Sequence, residues 1–260
     1  MRLRTILALL ALAAGGVYGQ NGPVFDVASV KPSPNNNDGR GGGRGGNLLA
    51  GGLARAGNFA VSPGGITFRN ATLSGCMQWA YGVRDFQVSG PAWLTDERYD
   101  IVAKAAGQVT VEQLQQMVQA LLADRFKLTF HRQSKELQAY ALVVSKTGIK
   151  MHESTSEGPS SMRRDRMGVT VERATMSQFA DALTQLLQIP VFDSTGLTAH
   201  YDATLDVAPY INFDAAGGTP DMVSIAVAAL QDLLGLRLEP RKAPVEVLVV
   251  DHAERVPTAE

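Results

Sequence analysis

The sequence predicts an α+β protein of two tandem, similar subdomains, each with helices packed on a small mixed sheet in the order β-α-β-β-α-β-β. Three observations predict it. "LLADRFKLTFHRQSKELQAYALVVSK" (Leu121–Lys146) and "LLGLRLEPRKAPVEVLVVDH" (Leu233–His252) both read as a helix end, a strand, a turn and a second strand. "ITFRNATLSGCMQWA" also lies over "VTVERATMSQFADAL", setting Ala71-Thr72 on Ala174-Thr175, and Tyr99-Asp100 further on matches Tyr201-Asp202. Finally, 260 residues with 45% hydrophobic side chains suffice for two small cores, and helices interspersed with strand pairs suit α+β units.

Each element follows from its residues. In "MRLRTILALLALAAGGVYGQ", Arg2 and Arg4 precede an apolar run from Ile6 to Ala14 and a small-residue site ending at Gly19, so residues 1–19 are expected to be a secretory signal peptide. "PVFDVASVKPS" alternates as a strand until Pro32 and Pro34 stop it. Glycine dominates Asn35–Asn58, which is expected to be a loop, so residues 20–58 form an N-terminal strand and Gly-rich loop. The first subdomain is assigned to residues 59–146. It opens on a hairpin turning at Pro63-Gly64-Gly65, followed by a helix with Thr72 as N-cap. "FQVSG" and "ERYDIVAKA" read as strands, and "TVEQ" from Thr110 is a capping box for a helix with Leu114, Met117, Val118, Leu121 and Leu122 on one face. "RFKLTFHR" and "LQAYALVVSK" then read as a strand pair.

The polar stretch at 147–168 is expected to be a linker. The second subdomain (169–260) repeats the plan. "TMSQ" from Thr175 is a second capping box, and Met176, Phe179, Ala180, Leu183 and Leu187 form the apolar face. Asp221 is the expected N-cap and Gly235 the expected C′ residue of its last helix, before two final strands.

Composition excludes some functions. A net charge of −1 lacks the basic footprint of a general nucleic-acid binder, and nothing after residue 20 is apolar for long enough to span a bilayer as a helix. Cys76 is the only cysteine, so no internal disulfide forms, and its place on a helix face suggests a buried structural thiol. His131, His152, His200 and His252 have no metal-ligand spacing, and no phosphate-cradling loop or G-x-S-x-G context occurs, so no catalytic residue, cofactor or metal is assigned.

What stands out instead is binding chemistry. Trp93 in "GPAWLTD" could anchor a partner, beside Tyr99. Strand alternation would put Arg125 and Lys127 in one block, and Arg237 and Arg241 in the other, on basic sheet faces or edges that could receive an acidic peptide. The paired Tyr99-Asp100 and Tyr201-Asp202 admit two readings: buried tyrosines with aspartates that satisfy backbone donors, or general bases gathered between the subdomains of a hydrolase.

"FDVASVKPS", "GPAWLTDERYDIVAKA", "QALLADRFKLTFHRQSKELQAYALVV", "PVFDSTGLTAHYDATLDVAP" and "LGLRLEPRKAPVEVLVVDHAERVP" together cover nearly all of the expected mature chain. On these residues the sequence resembles the "Soli" paralogous family of uncharacterised exported acidobacterial proteins. The resemblance implies export and a domain of unknown function, with no known catalytic residues. Related domains occur on membrane metallopeptidases, which would imply a sensory role. This chain has no HExxH of its own. Each half also resembles the short N-terminal domain of secretins and TonB-dependent receptors, which would imply docking between envelope proteins. The expectation is therefore a periplasmic or secreted, non-enzymatic module for an envelope protein or peptide, contacting it through Trp93, Tyr99, Arg125, Lys127, Arg237 and Arg241.

Overall fold

The computed structural model describes residues 23–33, 58–164, 168–211 and 221–258. The expected signal peptide and most of the Gly-rich loop lie outside them. In the first half, β1 (Val27–Pro32), β2 (Asn58–Ser62), β3 (Gly65–Thr72), α1 (Leu73–Tyr81), β4 (Val88–Ser89), the one-turn helix α2 (Trp93–Asp96), β5 (Arg98–Lys104), α3 (Val111–Arg125) and the long β6 (Thr129–Val144) follow in order. In the second come β7 (His152–Glu153), β8 (Ser161–Arg164), β9 (Gly168–Ala174), α4 (Met176–Leu187), β10 (Val191–Asp193), β11 (Tyr201–Asp206), α5 (Met222–Ala229) with a π-helical turn at Leu230–Leu234, and the long β12 (Leu236–His252). The fold is α+β, as expected.

Two outer sheets, β1-β5-β3-β2 and β7-β11-β9-β8, are copies of one plan. Gly65 and Gly168 open β3 and β9 because a Cβ there would stand 2.5 Å from the Ala103 carbonyl oxygen and 2.3 Å from that of Leu205. Asn70 and Arg173 then take φ of 51° and 52°, a left-handed conformation that costs non-glycine residues energy. Each bulge is held the same way: the Asn70 N–H donates to Asp100 Oδ1, and the Arg173 N–H to Asp202 Oδ1, both at 2.7 Å. Thr72 and Thr175 next cap α1 and α4, accepting from the amides of Gly75 and Gln178 at 3.0 and 3.2 Å. Tyr99 and Tyr201 are buried beneath. The repeated Tyr-Asp pairs are scaffold, as the first of the two readings has it.

The halves are not separable beads. β6 and β12, 16 and 17 residues long, pair antiparallel from Val144↔Leu236 to Thr129↔His252. β6 leaves the first half and ends in the second core, where Leu142 is wholly buried; β12 leaves the second, where Leu236 and Leu238 are buried, and ends in the first core with Leu248 and Val250. The short strands lock this exchange. β4 joins β12 in parallel at Leu248–Val249, and β10 joins β6 in parallel at Tyr140–Leu142. Each half therefore completes its core with the far end of the other's strand. A buried leucine contributes about 1.5–3 kcal/mol.

Several expectations change. Each expected strand-turn-strand is one continuous strand, because the polar "QSKE" and "EPRKAP" lie in the exposed middle of the ribbon. Pro240 and Pro244, four residues apart, can both turn their nitrogens away from β6. The expected linker supplies two strands, β7 and β8, to the second sheet. Arg125 ends a helix and does not lie in a strand. Lys127, with φ 49°, is the left-handed residue after α3, before β6 begins. Its counterpart is Gly235 (φ 67°), the left-handed residue before β12. The short strands agree: Val88 faces Leu248 and Val191 faces Tyr140, so Tyr140 and Leu248 are the matched pair.

Candidate functional site

Three of the six expected partner contacts hold the chain's own C-terminal segment. Trp93 begins α2 and does not sit in a loop; the Arg255 guanidinium stacks over its ring at 5.7 Å. The Tyr99 hydroxyl donates to the Arg255 carbonyl at 2.8 Å. Burial, followed by the charge of Glu97, pushes that hydroxyl up to about 12, so it stays protonated and can donate. Arg125 Nη1 donates to the Thr258 carbonyl at 3.3 Å, and the Thr258 N–H donates back to the Arg125 carbonyl at 2.8 Å. A Glu254 N–H to Phe126 carbonyl bond of 2.7 Å completes the clasp. Residues 253–258 thus lie as a strap across the first half, and the segment after β6 does the same in the second, where Lys150 N–H donates to the Leu234 carbonyl at 2.9 Å.

Lys127 reaches the Asp124 carboxylate at 3.7 Å, where both side chains are exposed. Arg237 forms an ion pair with Glu239 two residues along β12. Only Arg241 stands at an open site. Its guanidinium lies 5.8 Å over the ring of Phe192, the outward residue of β10 and 38% exposed.

Phe192 also lines a cleft of about 460 Å³ between the two halves. The first half supplies Arg84, Phe86 and Gln87 from the 3₁₀ turn before β4; the second supplies Asp181, Thr184 and Gln185 from α4 and Pro190–Phe192 from β10; Val245 of the ribbon lies between. The walls are fixed. Gln87 Nε2 donates to the Glu246 carbonyl at 3.0 Å while its Oε1 accepts from the Arg84 N–H at 3.0 Å. Thr184 Oγ1 accepts from the Val191 N–H at 2.9 Å and donates to the Val191 carbonyl at 3.4 Å, which occupies the outer edge of β10. The result is a mixed lining, in which Phe86, Pro190, Val191, Phe192 and Val245 stand beside the Asp181 carboxylate, the Arg84 guanidinium and the amides of Gln87 and Gln185.

Sequence reasoning found Arg241 but missed Phe192 and Phe86. The signal for Phe192 was present in "PVFD", where Val191 faces inward and the next residue must face outward.

The other chemistry-bearing residues are engaged elsewhere. Asp100 and Asp202 lie on separate outer sheets, each bound to its bulge, and so do not gather between the halves. Cys76 is fully buried, and burial pushes its thiol up to about 12. His131 Nδ1 lies 2.8 Å from Asp251 Oδ1 across the exposed ribbon end.

The model of a family described as "Protein of unknown function (DUF3738)" matches residues 74–253. The chain belongs to this family. That match runs from α1 to just past the end of β12, so that β1, β2 and β3 precede it. No curated protein and no solved structure matches the chain.

Proposed function

We propose that this is an exported, non-enzymatic module of the cell envelope that binds a protein or peptide through the cleft between its halves. The observation that carries the reading is the partly exposed Phe192, which lies under Arg241 and lines an open cleft of mixed polar and apolar character, since aromatic and arginine side chains dominate binding energy at interfaces. Export rests on the basic, then apolar, N-terminus and on the resemblance to the "Soli" proteins. Docking between envelope proteins would also suit the resemblance to the short domain of secretins and TonB-dependent receptors. A partner strand has a further place to pair at β2, an edge strand without a charged residue, whose Phe59 and Val61 are partly exposed. Among the described residues no helix is long and apolar enough to cross a membrane.

The test is an affinity capture. Chain beginning at Gln20 is tagged, cross-linked in its native envelope and analysed by mass spectrometry beside a Phe192→Ala/Arg241→Ala variant. The expected result is one reproducible envelope partner, lost with the variant. Recovery of the same proteins with both, or of none with folded and abundant protein, contradicts the reading.

A further inference from the structure

We propose that a second cavity, in the first half only, binds a small hydroxylated molecule carrying a cationic amine, the chemistry of an amino sugar. The cavity measures about 410 Å³, at the small end of the roughly 300–1,000 Å³ typical of ligand sites. Its floor is Thr72 and Ser74, only 3% and 2% exposed. Gln78, Asp85 and Arg98 form its half-buried walls, and Asp96 of α2 stands at the exposed rim.

The hydrogen-bond inventory defines the ligand. Thr72 Oγ1 accepts from the Gly75 N–H at 3.0 Å, and Ser74 Oγ accepts from Gln78 Nε2 at 3.3 Å. Each hydroxyl still has its own proton to give, and no described residue accepts either one. Asp85 Oδ1 accepts from Gln78 Nε2 at 3.1 Å, leaving its second oxygen as an acceptor, and Asp96 adds another carboxylate. Arg98, which also donates to the Asn70 carbonyl at 3.2 Å, is the one cation of the lining among the described residues. Among the described residues, two carboxylates against one guanidinium leave the lining net negative, which disfavours phosphates and acids and favours one positive charge. Buried donors and further acceptors suit hydroxyls.

The repeat supplies an independent argument. The counterparts of Thr72 and Ser74 are Thr175 and Ser177, yet Ser177 is exposed and Thr175 only half-buried. Their neighbourhood is differently used, with Gln178 Nε2 donating to Ser160 Oγ at 3.1 Å. The helix α2 that supplies the rim has no helical counterpart between β10 and β11. A shared cap has thus been enclosed by polar groups in one copy alone, where scaffold demands are the same in both.

Calorimetric titration of the full chain from Gln20 with glucosamine, glucose and glucuronate tests this. Glucosamine should bind saturably, at least tenfold tighter than glucose, with no binding of glucuronate. An Asp85→Asn/Asp96→Asn variant, folded by circular dichroism, should lose that preference. The proposal is overturned if glucosamine fails to bind at millimolar concentration, if glucuronate binds better, or if the variant binds glucosamine as the wild type does. Crowding the floor with Ser74→Val supplies a second check, since glucosamine binding should fall even with both carboxylates kept.

Discussion

At the turn from α3 into β6 the first half places Lys127 at φ 49°; at the matching turn from α5 into β12 the second half places Gly235 at φ 67°. The backbone path is the same, but the space is not. A Cβ at Gly235 would stand 2.0 Å from the Gly148 carbonyl oxygen, because the strap after β6 closes over it, whereas the Lys127 side chain is about half exposed. The contrast recurs throughout the molecule. The two halves share several supports of the backbone: the opening glycines, the left-handed bulges with their aspartates, the threonine caps. They differ wherever a surface faces outward, as at α2, the cavity beside it and Phe192. The features the halves share serve folding, and those in which they differ lie at the surface.

The largest effect should come from the exchanged strands. Leu142→Ala and Leu248→Ala each remove a buried leucine from the core of the half that did not supply the strand, and each should cost about 2–5 kcal/mol in urea unfolding. Both tryptophans, Trp79 and Trp93, lie in the first half. Tryptophan fluorescence should nevertheless shift with Leu142→Ala, together with circular dichroism, since the halves unfold as one. Separate transitions for the two probes would break the comparison at its root.

Exchanging the turn residues should have the next largest effect, with opposite signs. Gly235→Lys forces both a Cβ clash and a left-handed side chain and should cost about 3 kcal/mol or more, while Lys127→Gly relieves a strained residue and should gain up to about 1 kcal/mol. Equal effects at the two positions would mean that the turns are not counterparts.

The two bulges sharpen the comparison further. Asp100→Asn and Asp202→Asn should weaken the fold slightly and alike. The Arg173 N–H, then the Ser154 side chain, holds the Asp202 carboxyl below its usual range. Its folded value is thus lower than its unfolded one, so the stabilisation is present above the ordinary carboxylate range and is lost as pH falls through the lowered value. Stability of Asp202→Asn relative to wild type, measured from pH 7 downward, should show a gap that closes in acid. The smallest effect concerns Cys76, whose raised thiol pKa should leave it unmodified by an aromatic disulfide reagent at pH 8 until the chain unfolds.

Much of this was legible in sequence because it is local. Thr72, Thr110 and Thr175 announced their helices through side chains that bond three residues on, and period-two alternation marked the strands. The repeat disclosed the shared plan. What stayed hidden depends on which strand meets which. "QSKE" and "EPRKAP" have turn composition because the ribbon's middle is wet, and no local signal shows that β6 and β12 pass through it without bending. The candidate cleft was hidden for the same reason. Arg241 was visible as a basic strand residue, but its partner Phe192 lies on a strand that reaches it only through the exchange. Trp93, Tyr99 and Arg125 had the composition of an interface and are one, with the chain's own C-terminal strap as the bound peptide.

The central claim is that two copies of one unit fold only by trading their long strands. Residues 20–146 and 147–258 should be produced separately and then mixed, with near-ultraviolet circular dichroism and urea unfolding recorded for each half and for the mixture. The account predicts no cooperative transition from either half alone and its appearance on mixing. A cooperative transition from one half by itself, unaffected by adding the other, would contradict it.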